Sequence, residues 1–283
     1  PGDGRFLGRI SVAEQSLGRY EEAVGHAREG LRLDPRSSAI ARYLTRALIF
    51  VRRYDEALAT GDAALRLDPT SPDNVWVKAT VHVARGDLAA ARAVYRAASP
   101  PMERATLVAF MSQIWEMAWT LEPSDLDLLV SLPPAEFGGD RAEWGLCLAQ
   151  GWALKGDSAR ARVYADSGRA AYEEQIRANP RNSQAHALLG LTLGYLGRYD
   201  DAVASVRRAL AIRGISRDKY DGVYNGLQLA RVYAMAGRRE QAIAELEPLL
   251  QIPSFLTPGW LRIDPTFATL RGQPRFERLV RGP

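Results

Sequence analysis

The chain has 283 residues, of which 47% are apolar, 25% charged and 8% aromatic, a make-up that fits a globular protein and excludes disordered or collagen-like classes. Its formal charge is +4, and opposite charges alternate in stretches such as residues 52–56 and 237–245 with no run of five like charges, so neither a nucleic-acid-binding arm nor a polybasic membrane patch is indicated. Cys147 is the only cysteine, which rules out an internal disulfide, and the longest apolar stretch, residues 105–121, is interrupted by Gln113 and Glu116 and is too short and polar to span a bilayer.

In chain order, "GRYEEAVGHAREGLRLDP" (Gly18 to Pro35) is followed by "RRYDEALATGDAALRLDP" (Arg52 to Pro69), the same pattern 34 residues later. Ala23, Ala27 and Gly30, and then Ala57, Gly61 and Ala64, recur at helical spacing and let a second helix approach a first one closely. Each copy ends at a proline, which cannot donate the next backbone hydrogen bond. Leu7 and Ile10, then Ala41, Leu44 and Leu48, supply the apolar face of the preceding helix. A third copy carries Val75, Ala79, Gly86, Ala91, Tyr95 and Ala98 and is closed by Pro100.

Gly86 and Gly156 stand two repeat lengths apart, so a degenerate copy is expected between them. Its first helix is predicted over Met102 to Leu121, with Met111, Trp115 and Trp119 on one stripe. Its short partner is capped by Ser124 and breaks at Pro133-Pro134. The next copy holds Leu148, Trp152, Gly156 and Ala161, with a second helix two turns longer that reaches Asn179-Pro180. Two more follow, one with Leu189, Gly190, Gly197 and Ala202, the other with Leu229, Tyr233, Gly237 and Ala242. The end differs: Asp264 caps a short turn ahead of Pro265, Gly272 ends it and Pro274 opens another. Phe267, Leu270, Phe276 and Leu279 are expected to fold over the apolar end of the last hairpin.

These residues resemble the tetratricopeptide repeat, a helical hairpin with a small-residue-rich second helix and a closing proline. The resemblance implies an all-α fold, a right-handed superhelical solenoid with one irregular repeat and a C-terminal helical cap. Repeats are expected at about 4–37, 38–71, 72–101, 140–181, 182–216 and 220–253, with the irregular copy at 102–139 and the cap at 254–283. The stretch "TPGWLRIDPTFATLRGQPRFERLV" (Thr257 to Val280) also resembles the close of repeat regions behind bacterial serine/threonine kinase or transcriptional-regulator domains. That implies the regulatory half of a signalling protein. The repeat starts close to Pro1, without an initiating methionine, which reads as a fragment or a mature product.

Catalytic chemistry finds little footing. His26, His82 and His186 fall in three separate repeats, without ligand spacing to one another or to Cys147. Neither a phosphate-binding Gly-x4-Gly-Lys-Ser/Thr loop nor a Gly-x-Ser-x-Gly elbow is present. The acidic pairs in "YEEA", "YDEA" and "YDDA" open second helices, where they favour the helix dipole. No enzyme activity, metal or cofactor is expected.

A binding surface is the remaining function. In the family the first helix of each hairpin lines the concave side, so its positions outside the packing face should point into a groove for a protein or peptide. Carried across, these are Arg42, Arg46, Ile49 and Phe50, then Trp76, Thr80 and Val83, then Gln150, Tyr195, Tyr224, Leu227 and Arg231. Arginine and aromatic side chains of this kind carry much of the energy of interfaces. The family's Lys/Asn/Arg clamp for chaperone carboxylates is missing, its places being taken by Gly8, Val12, Tyr43, Asp73 and Val77. The expectation is a non-catalytic interaction module; the alternative is a subunit that self-associates head to tail. Nucleic acid and membrane insertion are not expected, and the compartment is left open.

Overall fold

The computed structural model describes residues 3–98 and 102–281, and among them every regular element is helical. Pro100, expected to close the third copy, lies outside the described residues. Three hairpins come first: α1 (Gly4–Leu17) with α2 (Tyr20–Leu33), α3 (Ser38–Phe50) with α4 (Tyr54–Leu67), and α5 (Pro72–Arg85) with α6 (Leu88–Ala97). The irregular copy consists of α7 (Arg104–Gln113), a 3-10 stretch over Ile114–Thr120, α8 (Pro123–Leu129) and a 3-10 turn over Pro134–Phe137. Then come α9 (Arg141–Leu154) with α10 (Ser158–Ala178), α11 (Ser183–Tyr195) with α12 (Tyr199–Ile212), and α13 (Lys219–Met235) with α14 (Arg239–Leu250). The chain ends in α15 (Pro258–Ile263), a 3-10 turn over Pro265–Leu270 and α16 (Pro274–Arg281).

Local chemistry sets the boundaries. Ser37, Asp157 and Asn182 accept hydrogen bonds from the backbone amides of Ile40, Arg160 and Ala185, satisfying free donors at the starts of α3, α10 and α11. Glu21-Glu22, Asp55-Glu56 and Asp200-Asp201 fill the first turns of α2, α4 and α12, where their charge suits the dipole. α2 and α4 stop at Asp34 and Asp68, each one residue ahead of a proline. α10 runs for 21 residues against 14 for α2, the two extra turns that its sequence indicated.

Small residues decide how close the two helices of a hairpin come. Ala23, Ala27, Ala57 and Ala64 are fully buried. One close approach joins α9 to α10, where a β-carbon added to Gly145 would lie 2.6 Å from the Cα of Gly168. A β-carbon has no room there because the obstacle is backbone.

The first helices of successive hairpins touch in series, α1 to α3 to α5 to α7 to α9 to α11 to α13, with the second helices outside them. α13 then packs against α1, so the stack of inner helices closes on itself as a ring. The side chain of Lys219, at the start of α13, lies against Gly18 at the end of α1.

The irregular copy departs from the expected single helix over 102–121. α7 stops at Gln113, and Trp115 (φ 51°, ψ 23°) and Glu116 (φ 52°, ψ 47°) sit in the left-handed region. Two such residues in a row end any right-handed helix. They cannot share a helical stripe with Met111 and Trp119; they are thrown instead into the middle of the ring. The helix after the break is capped by Glu122 and Asp125 in a reciprocal capping box, not by Ser124.

Gly145→Ala is expected to lower stability by about 1–3 kcal/mol, because helix backbones must part to admit the methyl group. A denaturant melt that leaves the variant within ~0.5 kcal/mol of the parent would show the α9–α10 contact to be looser than described.

Candidate functional site

The centre of the ring is where the inner helices present their side chains, and the chain itself fills most of it. Glu116 is 4% exposed. Its carboxylate accepts hydrogen bonds from Tyr224 Oη at 2.7 Å, Gln228 Nε2 at 2.6 Å and Arg231 Nη1 at 3.0 Å. These three donors lie at i, i+4 and i+7 on α13, one face of a helix. Gln150 of α9 donates to the Glu116 backbone carbonyl at 2.7 Å. Arg231 also reaches Asp264 at 3.3 Å, and Trp260 Nε1 donates to the same carboxylate oxygen at 3.2 Å.

Burial pushes the Glu116 carboxyl upward, and Arg231 is the main group opposing that. For Arg231, the effect of burial is outweighed by Asp264 and then Glu116, so its guanidinium holds its proton more firmly than usual. A carboxylate pair bridged by one arginine is a structural lock. Every charged group in it is engaged by another part of the same chain.

Aromatic rings fill the adjoining space. Trp115 stacks on Phe255 with centroids 4.0 Å apart and meets Trp76 edge-on at 4.8 Å. Its indole N–H donates to Tyr220 Oη at 3.1 Å. Phe255 belongs to a non-helical segment between α14 and α15 that crosses the ring to the end of α3 and to α5. Arg52 donates to the carbonyls of Ser254 at 2.8 Å and Leu256 at 2.9 Å. Thr257 Oγ1 donates to the carbonyl of Ala84 at 2.7 Å. The segment beyond residue 254 therefore does more than cover the last hairpin. Its 3-10 turn and α16 pack on α13 and α14, with Phe267, Leu270 and Phe276 buried, while α15 packs on α5.

The eight residues expected to line an open groove can now be placed. Phe50 is buried between Tyr20 and Tyr220, and Trp76 is buried against Trp115. Gln150 and Arg231 are buried on Glu116, and the half-buried Tyr224 donates to it. Tyr195 lines a small pocket with Glu116 and Arg231. Arg46 donates to Gln15 at 2.8 Å and lies over the Tyr220 ring. Seven of the positions thus face the ring interior but meet the chain's own groups there. Arg42 stands apart, 3.4 Å from Asp73. The expectation of free groove side chains is corrected in this respect, because the Trp115-Glu116 kink and the Phe255 segment occupy the space.

Sequence reasoning missed Glu116, Asp264, Phe255, Trp260 and Arg52 as members of this centre. The one available signal was a glutamate set in the apolar run 105–121, a place where a charge needs a partner.

An opening remains at one edge. A cleft of about 640 Å³ lies beside the kink, lined by Gln113, Trp115, Tyr220 and Tyr224 together with Asn179, residues 181–184, Ile212, Arg213 and Asn225. Asn225 is held by bonds to Ser183 Oγ and the Arg213 carbonyl, and Arg213 is paired with Asp221. Arg181 and Gln184 are exposed on its rim.

Helical hairpins stacked in series define a repeat protein of the α-solenoid class. The family model described as tetratricopeptide repeat matches residues 10–72, 46–101 and 153–216. These matches span more than half of the chain, which belongs to the tetratricopeptide-repeat family. No curated protein matches it. Among solved structures, a thermophilic repeat protein of the family from Thermus thermophilus is 19% identical, with 94% of this chain and 98% of that chain covered and a TM-score of 0.32. A second, from Parabacteroides merdae, is 13% identical over 95% and 98% at a TM-score of 0.44. YrrB, described as having an unusual peptide-binding site, is 17% identical over 73% and 84% at 0.32.

Two predictions concern the centre. Glu116→Ala leaves Tyr224, Gln228 and Arg231 without their acceptor and is expected to lose about 3–5 kcal/mol, whereas Glu116→Gln keeps most of the contacts and loses less. Equal losses in urea melts would show that the carboxylate is not the acceptor that matters. Glu143, on α9, is raised to about 8, first by burial and then by the negative charges of Glu116 and Asp140. Below that pH the folded chain holds a proton that the unfolded chain loses above about 4.5. Stability should therefore fall as pH rises from about 4.5 to about 8, by at most about 1.4 kcal/mol per pH unit from this group. Glu143→Gln should flatten that slope, and its gain in Tm over the parent should be larger at pH 8 than at pH 5.

Proposed function

We propose that the chain is a non-catalytic interaction module that takes a segment of a protein partner in the 640 Å³ cleft beside the kink. The observation that carries this reading is the cleft itself. Its walls combine the aromatic rings of Trp115, Tyr220 and Tyr224 with amides from Asn179, Asn182 and Gln184. Ring faces take apolar side chains, and amides both donate to and accept from a peptide backbone. Arg181 on the rim adds a positive charge, so an acidic residue in the bound segment is favoured.

The family supports an interaction role, and the likeness of residues 257–280 to regulator repeat regions supports a regulatory setting. Among the described residues, no group of three or more His, Cys, Asp or Glu side chains converges as a metal site would require. Glu116 and Asp264 are tied to Arg231, which leaves neither free to move a proton for a substrate.

A head-to-tail assembly would use the outer side of the first hairpin, where Phe6 is exposed beside Arg9 and Tyr43. The inner side of that hairpin already meets α13. The cleft is the better supported surface.

The test is a peptide-array screen of the full chain against Arg181→Glu and Gln184→Ala, both on the rim and outside the buried centre. Binders of the parent should lose at least about ten-fold in affinity with Arg181→Glu, a change of about 1.4 kcal/mol. Undiminished binding by both variants would remove the cleft as the site.

A further inference from the structure

The segment that crosses the ring has the features of a bound peptide. From Pro253 to Thr257 it has no helix, and its side chains Phe255 and Leu256 are fully buried. Its backbone carbonyls on either side of Phe255 are both taken by one guanidinium, that of Arg52. Two bonds from one arginine to carbonyls two residues apart fix both the position and the direction of the segment. The contacts bridge 202 and 204 residues of sequence, so the segment arrives from the far end of the chain.

The receiving surface is built for it. At the turn of every other regular hairpin the left-handed position is a glycine: Gly18, Gly86, Gly156, Gly197 and Gly237. In the second hairpin it is Arg52, at φ 61°. A non-glycine residue there costs about 1 kcal/mol of backbone strain, and this strained residue is the one that holds the segment. One turn further on, Gly259 rests on the end of α5 so closely that a β-carbon would lie 2.4 Å from the Ala84 carbonyl oxygen. Trp115 stacks on Phe255 and meets Trp260 edge-on, and Trp76 backs Trp115 edge-on from α5.

We propose that the surface formed by Arg52, the end of α5 and Trp115 is a receptor site for a protein segment bearing an adjacent aromatic residue and leucine ahead of a helical turn, with Ser254–Leu261 as its internal ligand. A foreign segment of that chemistry binds when the internal one leaves. The tether gives the internal ligand an effective concentration on the order of millimolar, so the intact chain binds competitors weakly. Weakening the internal segment alone raises the apparent affinity for an external one, because the competent fraction rises. The site shares Trp115 with the cleft proposed above but uses none of that cleft's rim residues, Arg181 and Gln184.

The test uses the full chain and a fluorescein-labelled peptide with the sequence of residues 252–263, followed by fluorescence anisotropy. Gly259→Ala drives the internal segment off α5 while leaving the receptor residues in place. It should bind the peptide at least about ten-fold more tightly than the parent. Adding Arg52→Ala should reverse most of that gain, and a peptide carrying Phe255→Ser and Leu256→Ser should not bind. Arg181→Glu should leave this binding unchanged, so that failure here and failure of the cleft are told apart. Folded Gly259→Ala protein that binds no more tightly than the parent overturns the proposal. So does a concentration-dependent dimer of the parent that Gly259→Ala abolishes, since a second copy would then be the occupant. If Gly259→Ala does not fold, hydrogen exchange on the parent decides. Amides of residues 254–261 should be protected at least about ten-fold less than those of α13, and equal protection excludes an independent release.

Discussion

A carboxylate in the middle of a ring of apolar helices has to be paired, and the pairing of Glu116 organises the molecule. Its three side-chain donors come from one face of α13, the seventh inner helix, while the carboxylate comes from the irregular fourth copy. An unpaired charge at 4% exposure would cost several kcal/mol, so α13 is held opposite the end of α7 wherever the chain folds. Once α13 is fixed there, its start lies within reach of α1, and the stack closes. Arg231 then brings in Asp264, which caps the 3-10 turn after α15 by accepting from the Thr266 amide. One residue thus couples the irregular copy, the last hairpin and the C-terminal segment.

Closure changes what kind of object the repeat array is. An open solenoid is held by nearest-neighbour contacts, its repeats can fray from either end, and its inner face is free. Here α1 and α13 meet across some two hundred residues, and the C-terminal segment bonds to α3 and α5 across a comparable distance. Such contacts join the two ends of the array, so both ends gain neighbours that a linear stack would deny them. They also carry a large loop-closure entropy, which places ring closure late in folding, after the local hairpins form.

The hairpins were legible in the sequence because their determinants are local. Alanine and glycine at helical spacing, the glycine turns and the Asp-Pro stops act within one repeat, and the helices begin and end accordingly. The long α10 could be read from where Asn179-Pro180 falls. The positions carried across from the family pattern, among them Phe50, Trp76, Gln150, Tyr224 and Arg231, lie on the first helices and meet the chain's own groups. What they touch was not legible, since it depends on pairings between residues as far apart as 116 and 231, or 52 and 254. Periodicity carries no information on such pairs. The stretch 102–121 misled for a related reason. Its composition suits a helix, and only the pull of distant groups on Trp115 and Glu116 breaks it.

Backbone strain marks the same places from another direction. Arg52, Trp115 and Glu116 are the non-glycine residues with positive φ among those described, and each of them contacts what fills the ring. Two present a side chain to the interior, and the third grips the segment that enters it. Strain of this size, about 1–3 kcal/mol per residue, persists only where surrounding contacts over-determine it. Its presence at all three therefore means that the filling is more than incidental packing at the end of a repeat array. Relaxing these residues into ordinary helix or turn geometry would withdraw Trp115 and Glu116 from the centre and release Ser254 and Leu256 from Arg52. The strained backbone and the occupied interior are two aspects of one arrangement, in which the inner face built by the repeats is filled by the chain that built it.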